Sequence, residues 1–438
     1  MSQPIVHNPQ CEMMPREEIE QLQIERLQVT LNRAYGNVAH YRAAFDARGV
    51  NLEKVLDLRA LAELPFTTRD DLRKSYPYDM FAVPLKDIVR IHSTAGAGGL
   101  PIVVGYTRND LRNWTECTAR LLAAAGITEH DVVQIALDYG LYAGGFGFQQ
   151  GAELVGASVI PVSLTADVEK QVAIMRDFKT TALVTTPSHA VAIAASLREH
   201  PVPAESLRLR LALLGGEPWS DALRRQIEGD LHIRAIDTYG LTEIMGPGVA
   251  GECHLQKGHH VNEDHFIVEV VNPRTLEPVE PGREGELVVT TITKEGFPLI
   301  RYRTGDVTSL ITEPCPCGRT LVRMARIASR TDDLIVFHGI AFSPAQIGDI
   351  LREVEAASPH YQVILDRKDG VEHLEVNVGV SENIPSLDEL KTLEHLRALI
   401  TLRIKTVLDV EAKVTFVEPK SLHQAASEQG TVIDRRPA

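Results

Sequence analysis

The spacing of apolar positions changes character along this chain, and each change predicts a different kind of element. In residues 15–48, Ile19, Leu22, Ile24, Leu27, Val29, Leu31 and Ala34 form a roughly helical stripe. Pro15 ahead of Arg16-Glu17-Glu18 suits a helix start with acids in its first turn. Leu64-Pro-Phe-Thr-Thr-Arg-Asp-Asp-Leu72 predicts a short helix capped by Thr67 or Thr68, and its acidic first turn is ordinary helix chemistry. Two apolar runs, 89–92 and 102–107, then flank a loop of small residues, which predicts strand, loop, strand. From Asp110 onward, short apolar runs alternate with helical patterns. The predicted strands are 131–137, 157–162, 182–185, 211–214 and 233–236, and the predicted helices are 111–125, 148–155, 167–178, 189–199 and 220–227. Such alternation implies an α/β fold with a parallel sheet, whose ligands sit beyond the carboxyl ends of the strands. Four loops fall there: around Tyr139-Gly140, Thr186–His189, Gly215–Pro218 and Tyr239–Glu243.

Residues 264–311 read as β structure, with turns at Asn272-Pro273 and Pro281-Gly282. The polar run 326–333 marks a domain boundary. Beyond it, strand and helix patterns mix in a compact α+β unit of roughly ferredoxin-like type. The expected organisation is a large α/β domain at 1–330 and a small, mobile α+β domain at 331–438. The large domain would open on helices at 1–80 and carry a β-rich subdomain at about 250–325.

Composition narrows the function class. The chain has 438 residues, is 44% hydrophobic and 24% charged, and carries a net charge of −14. That length calls for more than one core, and the negative balance argues against nucleic-acid or anionic-membrane surfaces. No apolar run reaches the ~20 residues of a membrane span, and the N-terminus lacks a signal-peptide pattern. A cytoplasmic location is the expectation. Five cysteines, Cys11, Cys117, Cys253, Cys315 and Cys317, do not make a disulfide framework. Cys117 reads as a buried small hydrophobe. Cys253-x6-His260 together with Cys315-x-Cys317 offers four ligands for a tetrahedral structural zinc, with His259 as the alternative imidazole.

Candidate chemistry centres on Tyr239-Gly-Leu-Thr-Glu243. The strand ending at Asp237 is expected to turn outward at Tyr239-Gly240, with Gly246, Pro247 and Gly248 holding a loop open. A carboxylate on such a loop suits a magnesium–nucleotide site. Backbone N–H groups of the 92–101 loop can form an anion nest. Asp306, after Gly305 at a strand edge, suits a sugar diol.

With these stretches in view, the chain resembles the phenylacetate–coenzyme A ligase family of acyl-adenylate-forming enzymes over nearly its whole length. The resemblance is carried by Tyr239-Gly-Leu-Thr-Glu-Ile-Met-Gly-Pro-Gly-Val-Ala, Tyr302-Arg-Thr-Gly-Asp306, Ser329-Arg-Thr-Asp-Asp333 and Cys315-Pro-Cys-Gly-Arg319. It implies that a carboxylate attacks the α-phosphate of Mg-ATP, and that coenzyme A then takes the acyl group from acyl-AMP after the small domain rotates. By position it makes Glu243 the Mg2+ ligand and Thr242 an α-phosphate contact. Gly215, Gly216, Glu217 and Pro218 become an adenine wall with Tyr239 beside the base. Asp306 becomes the ribose ligand with Arg330 as its partner, and Asp332 the hinge. Ser93, Thr94, Gly96, Gly98 and Gly99 fall in the phosphate loop, and Asp237, Gly240 and Arg326 complete the nucleotide set. Tyr139, Tyr142, Gly144, Gly145 and Phe146, with His189 and Met245, line an acyl pocket suited to an aryl acid. Relatives with Cys-Pro-Cys-Gly-Arg point to His260 as the fourth zinc ligand. A homodimer is implied.

Two departures stand out. The family's phosphate loop, Ser-Ser-Gly-Thr-Thr-Gly-Lys-Pro, is here Thr94-Ala-Gly-Ala-Gly-Gly-Leu-Pro101, so paired threonines become Ala97 and Gly98 and the lysine becomes Leu100. The C-terminal register 426–434 puts Glu428 where the family has its adenylation lysine, which would repel an anionic transition state unless another cation such as Lys420 substitutes. Three readings follow: an aryl-acid–coenzyme A ligase, an adenylating ligase with an amine or hydroxyl acceptor, and a nucleotide- or acyl-binding homologue with little turnover.

Overall fold

The computed structural model describes residues 5–94, 100–141, 143–164, 166–203, 206–331, 335–337, 340–342, 344–354, 360–368, 371–379, 387–417, 422 and 432–435. The chain divides into two compact units, Met1–Ala328 and Ser329–Ala438.

In the first unit the strands, in chain order, are β1 (Arg90–Ser93), β2 (Val103–Tyr106), β3 (Val132–Ile135), β4 (Ser158–Pro161), β5 (Ala182–Thr185), β6 (Leu211–Gly215) and β7 (Arg234–Leu241). They are followed by β8 (Gly246–Glu252), β9 (His259–Val261), β10 (Phe266–Val271), β11 (Gly285–Thr291), β12 (Tyr302–Thr308), β13 (Leu310–Ile311) and β14 (Arg323–Met324). Among the described residues the central sheet runs β4-β3-β5-β6-β7-β8-β9-β14-β13. Neighbours from β4 to β7 are parallel, and β7 onward is antiparallel.

Period-two patterning explains the two-sided cover of the parallel half. Val133, Ile135, Val184, Leu213 and Ile236 face one core with Leu122, Phe148 and Ala152. Leu183, Ala212, Leu214 and Ala235 face the other, with Val172, Ile193 and Ile227. On the first face, helix Arg108–Ala125 starts in a Thr107–Asp110 capping box and packs tightly on helix Gly144–Val155. A Cβ at Gly147 would lie 2.6 Å from Trp114, and one at Gly151 would lie 2.8 Å from Thr118. This second helix begins at Gly144, four residues before the expected start. Glycine-rich sequence weakens helix propensity, but close packing requires it.

β10, β11 and β12 form an antiparallel sheet. The N-terminal helices Arg16–Asn37 and Ala39–Arg48 contribute Leu27, Leu31, Tyr41 and Phe45 to its core, with Phe266, Leu287, Val289 and Tyr302. Residues 250–325 therefore divide between two sheets, with β9, β13 and β14 joining the central one. Thr68 caps helix Arg69–Lys74 through a capping box with Asp71. In the second unit, antiparallel strands Tyr361–Lys368 and Val371–Gly379 are flanked in parallel by Val432–Asp434 and Lys413–Val417. Its own core includes Ile347, Val363, Val376, Ile400 and Ile404.

The sequence places the turn after β7 at Tyr239-Gly240. In the structure β7 runs on through Leu241, and the turn is Thr242–Met245. Gly246, Pro247 and Gly248 belong to β8 rather than to an open loop. Gly240 explains the difference. It pairs with Pro247 across a bulge, and a Cβ there would sit 1.9 Å from the Gly246 carbonyl oxygen. The glycine lets two strands close together instead of letting a loop open.

Candidate nucleotide and acyl site

Two sequence motifs about sixty residues apart are locked together by a reciprocal pair of contacts. Tyr239 Oη donates to Asp306 Oδ2 at 2.6 Å, and Tyr302 Oη donates to Glu243 Oε1 at 3.3 Å. The tyrosine that opens each motif thus binds the acid that closes the other. The arrangement requires the end of β7 to lie against β12, and both acids are buried, Glu243 at 5% and Asp306 at 4% exposure. Asp306 lies within β12. The Tyr302 hydroxyl is pushed well above its ordinary range by burial and by the neighbouring Glu243 carboxylate. Arg69 brings a guanidinium to 3.8 Å from Glu243 Oε1. Lys294 Nζ donates to the carbonyl oxygens of Ile244 at 2.5 Å and Glu243 at 3.3 Å. Burial pushes the Lys294 ammonium down to about 7, against the pull of Asp110 and Glu243.

A cleft adjoins this lock through Tyr239. Leu137, Ala143, Gly144, Phe148, Gly215, Gly216, Thr238, Tyr239, Gly240, Thr242, Gly246 and Pro247 line it. It lies at the carboxyl ends of β6 and β7, where the alternating pattern predicts a ligand. Gly215 must be glycine, since a Cβ would fall 2.4 Å from Thr238 Oγ1. Glu217 is exposed and accepts from Ser188 Oγ and Ser188 N at 2.8 and 3.1 Å. Pro218 is exposed beside it. His189 Nε2 meets Gln171 Oε1 at 3.1 Å. Met245 is fully buried in the core, with its carbonyl taken by Tyr106 Oη at 3.1 Å.

Asp237, next to the cleft-lining Thr238 in β7, forms a second cluster. Its Oδ2 lies 3.1 Å from Arg326 Nε and 3.2 Å from His259 Nε2. Burial alone would raise this carboxyl, yet His259 and Arg326 hold it below its ordinary range. Arg326 also reaches Asp221 at 3.0 Å and lies over the Trp219 ring.

The acyl-pocket candidates Tyr139 and Phe146 pack edge to face at 5.3 Å, and Gly145 fits only without a Cβ, which would lie 2.8 Å from the Asp138 carbonyl. His92 continues the aromatic group, with Phe146, Trp114 and Tyr106 rings around it. Burial lowers its imidazole, and Nδ1 meets the Leu141 carbonyl at 3.0 Å. At the mouth of the β1–β2 loop, Thr94 exchanges bonds with the Ile102 backbone, both at 3.0 Å, and Ser93 N donates to Leu141 O. Arg330 lies half-buried in the short strand Ser329–Arg330 of the second unit. Gly96, Gly98, Gly99, Tyr142, Asp332, Lys420 and Glu428 lie outside the described residues.

Sequence reasoning passed over Arg69 and Lys294. Arg69 sits in an ordinary capped first turn. Lys294 sits in Thr-Lys-Glu-Gly, which reads as an exposed charged turn. Only the β12 contacts and the path of the β11–β12 connection bring them to Glu243.

Away from the cleft, Cys253, His260, Cys315 and Cys317 converge, with one ligand atom from each inside 4.8 Å of all the others. Cys253 Sγ and Cys315 Sγ are 3.9 Å apart, and Cys317 Sγ and His260 Nε2 are 3.4 Å apart. Tetrahedral zinc would impose about 3.8 and about 3.6 Å for these edges. The Cys253 thiol holds Cys317 well below the ordinary thiol range, with His260 acting the same way. Of the two candidate histidines, β9 sends His260 to the sulfurs and His259 to Asp237.

The family model for AMP-binding enzymes matches residues 45–293, and that for the AMP-binding enzyme C-terminal domain matches residues 339–436. The chain is 41% identical over 427 residues to a phenylacetate–coenzyme A ligase of Thermus thermophilus, covering 95% of this chain and 96% of the relative. It is 41% identical over 422 residues to that of Escherichia coli K12, covering 96% and 95%. Among solved structures it is similar to 2-hydroxyisobutyryl-CoA ligase in the postadenylation state with an acyl-AMP, at a TM-score of 0.85 and 27% identity, covering 97% of this chain and 91% of that one.

Proposed function

We infer the reaction from one premise: this chain belongs to the phenylacetate–coenzyme A ligase family of AMP-forming enzymes. It activates a carboxylic acid with ATP and passes the acyl group to coenzyme A. In the first step a carboxylate oxygen attacks the α-phosphorus of ATP, and the bond to pyrophosphate breaks. In the second step the thiol sulfur attacks the acyl carbon, the bond to AMP breaks, and the thiol proton leaves.

The reciprocal lock of Tyr239 with Asp306 and Tyr302 with Glu243 carries the residue assignment. We propose that Glu243 holds Mg2+ on the nucleotide, a role its buried carboxylate and adjoining cleft fit. Bound there, the ion would neutralise phosphate charge. Thr242, which lines the cleft, donates to the α-phosphate. Asp306 accepts from the ribose hydroxyls, and its bond from Tyr239 fixes its direction while Tyr239 flanks the base with Gly215 and Gly216. Asp237, next to Thr238 in β7, supports that wall together with Arg326. Arg69 supplies a cation beside Glu243, in a protein whose phosphate loop has Leu100 in place of lysine. Tyr139 and Phe146 favour an aryl acid, because aromatic faces stack at low entropic cost.

The deciding experiment follows pyrophosphate release from ATP and Mg2+ with a panel of aryl acids, with and without coenzyme A. Acid-dependent release and thioester formation are expected. Release without thioester would move the acceptor to an amine or hydroxyl. Nucleotide binding with no release for any acid would overturn the ligase reading.

The Cys253/His260/Cys315/Cys317 set fits a structural zinc by donor chemistry and by edge length. Purified protein is expected to hold one zinc per chain, and zinc retained after Cys315→Ser plus Cys317→Ser would rule this site out. A cytoplasmic homodimer completes the proposal, and sedimentation checks the dimer.

A further inference from the structure

Lys294 lies in the connection from β11 to β12 and is 1% exposed. A buried ammonium is costly unless its protons are engaged. Here Nζ bonds the Ile244 and Glu243 carbonyl oxygens and lies 4.6 Å above the centre of the Tyr106 ring. Tyr106 in turn donates its hydroxyl to the Met245 carbonyl. Three successive carbonyls, those of residues 243, 244 and 245, are thus held by two side chains from outside the turn. The turn's own bonds are few: the amides of Ile244 and Met245 both go to the Leu241 carbonyl. Glu243's side-chain contacts are long, 3.3 Å to Tyr302 and 3.8 Å to Arg69, so the direction of its carboxylate depends on the main chain beneath it.

We propose that Lys294 and Tyr106 form a carbonyl clamp that fixes the Thr242–Met245 turn and so sets the preference of the site for magnesium-bound over magnesium-free ATP. Both are positioning residues, since neither touches the reacting atoms. The proposal rests on the reading of Glu243 as the magnesium ligand.

The test is calorimetric binding of ATP to the full chain with and without Mg2+, alongside the KM for the aryl acid. Lys294→Met is expected to weaken Mg-ATP binding about tenfold while Mg-free ATP and the acid KM stay within twofold. Tyr106→Phe is expected to shift the same ratio less. Where Lys294→Met does not fold by circular dichroism, Lys294→Gln and Tyr106→Phe decide by the same ratio. Equal weakening of both ATP forms marks a merely structural role and overturns the clamp. An unchanged ratio in folded variants also overturns it, provided Glu243→Gln abolishes the preference. A Glu243→Gln protein that keeps the preference sinks the magnesium reading itself, and the clamp with it.

Discussion

At the scale of single residues, the site depends on hydroxyls that aim carboxylates. Tyr239 binds Asp306 at 2.6 Å inside a buried environment, and a hydrogen bond to a charged group is worth about 1.5–3 kcal/mol. Tyr239→Phe should therefore raise the KM for ATP by roughly tenfold or more while the KM for the acid changes little. Steady-state kinetics varying each substrate in turn checks this. A second residue-scale prediction concerns the N-terminal segment. His7 Nε2 lies 3.5 Å from Glu116, which also accepts from Asn8 at 2.8 Å and Arg120 at 3.1 Å. His7 holds the Glu116 carboxyl down at about 2 from an ordinary 4.5, and Glu116 raises His7 above 6.5. The Glu116 contribution is present above pH 4.5 and lost as pH falls toward 2. The His7 contribution is present below pH 6.5 and lost as pH rises through its raised value. His7→Gln should cost up to about 1 kcal/mol between pH 4.5 and 6.5, and the cost should fall away as pH rises through the raised His7 value, by denaturant titration at each pH.

Among elements, the β7–β8 hairpin matters most. Its strands approach so closely at Gly240 that a methyl group has no space, with the Gly246 carbonyl 1.9 Å from any Cβ. Gly240→Ala should destabilise by about 1–3 kcal/mol or more through overpacking and should impair adenylation by displacing Thr242 and Glu243. Gly229→Ala, in helix Asp221–Leu231 with open space around it, should instead stabilise by about 0.5–1 kcal/mol. Thermal melts of both proteins give the comparison. This hairpin also shows where one-dimensional patterning stops. Alternation of apolar runs located β3, β5 and β6 within a few residues, because a strand buried on both faces leaves a continuous apolar signature. The end of β7 carries no such signature. Gly240 reads as a breaker in sequence, whereas its partner across the sheet makes it a pairing position.

For the whole molecule, the two units have separate cores, several in the first and one of its own in the second, and the Glu243–Asp306 lock lies in the first. A ligand that binds only folded protein stabilises by about 2.7 kcal/mol at a hundred times its Kd. Saturating Mg-ATP should therefore move the calorimetric transition of the larger unit upward. A shift in both would mean that the second unit also contacts nucleotide.

By itself the sequence determined the class of this protein: period-two and helical patterns dictate an α/β unit followed by an α+β unit, and contiguous motifs carry the family chemistry. Those features depend on near neighbours in the chain, so they are written locally. Tertiary structure decided what spans long separations. It paired Tyr239 with Asp306 and Tyr302 with Glu243. It sent His260 rather than His259 to the cysteines, because successive residues of β9 face opposite sides of the sheet. It also carried Arg69 and the buried Lys294 to the Glu243 turn, to which no spacing in the sequence connects them.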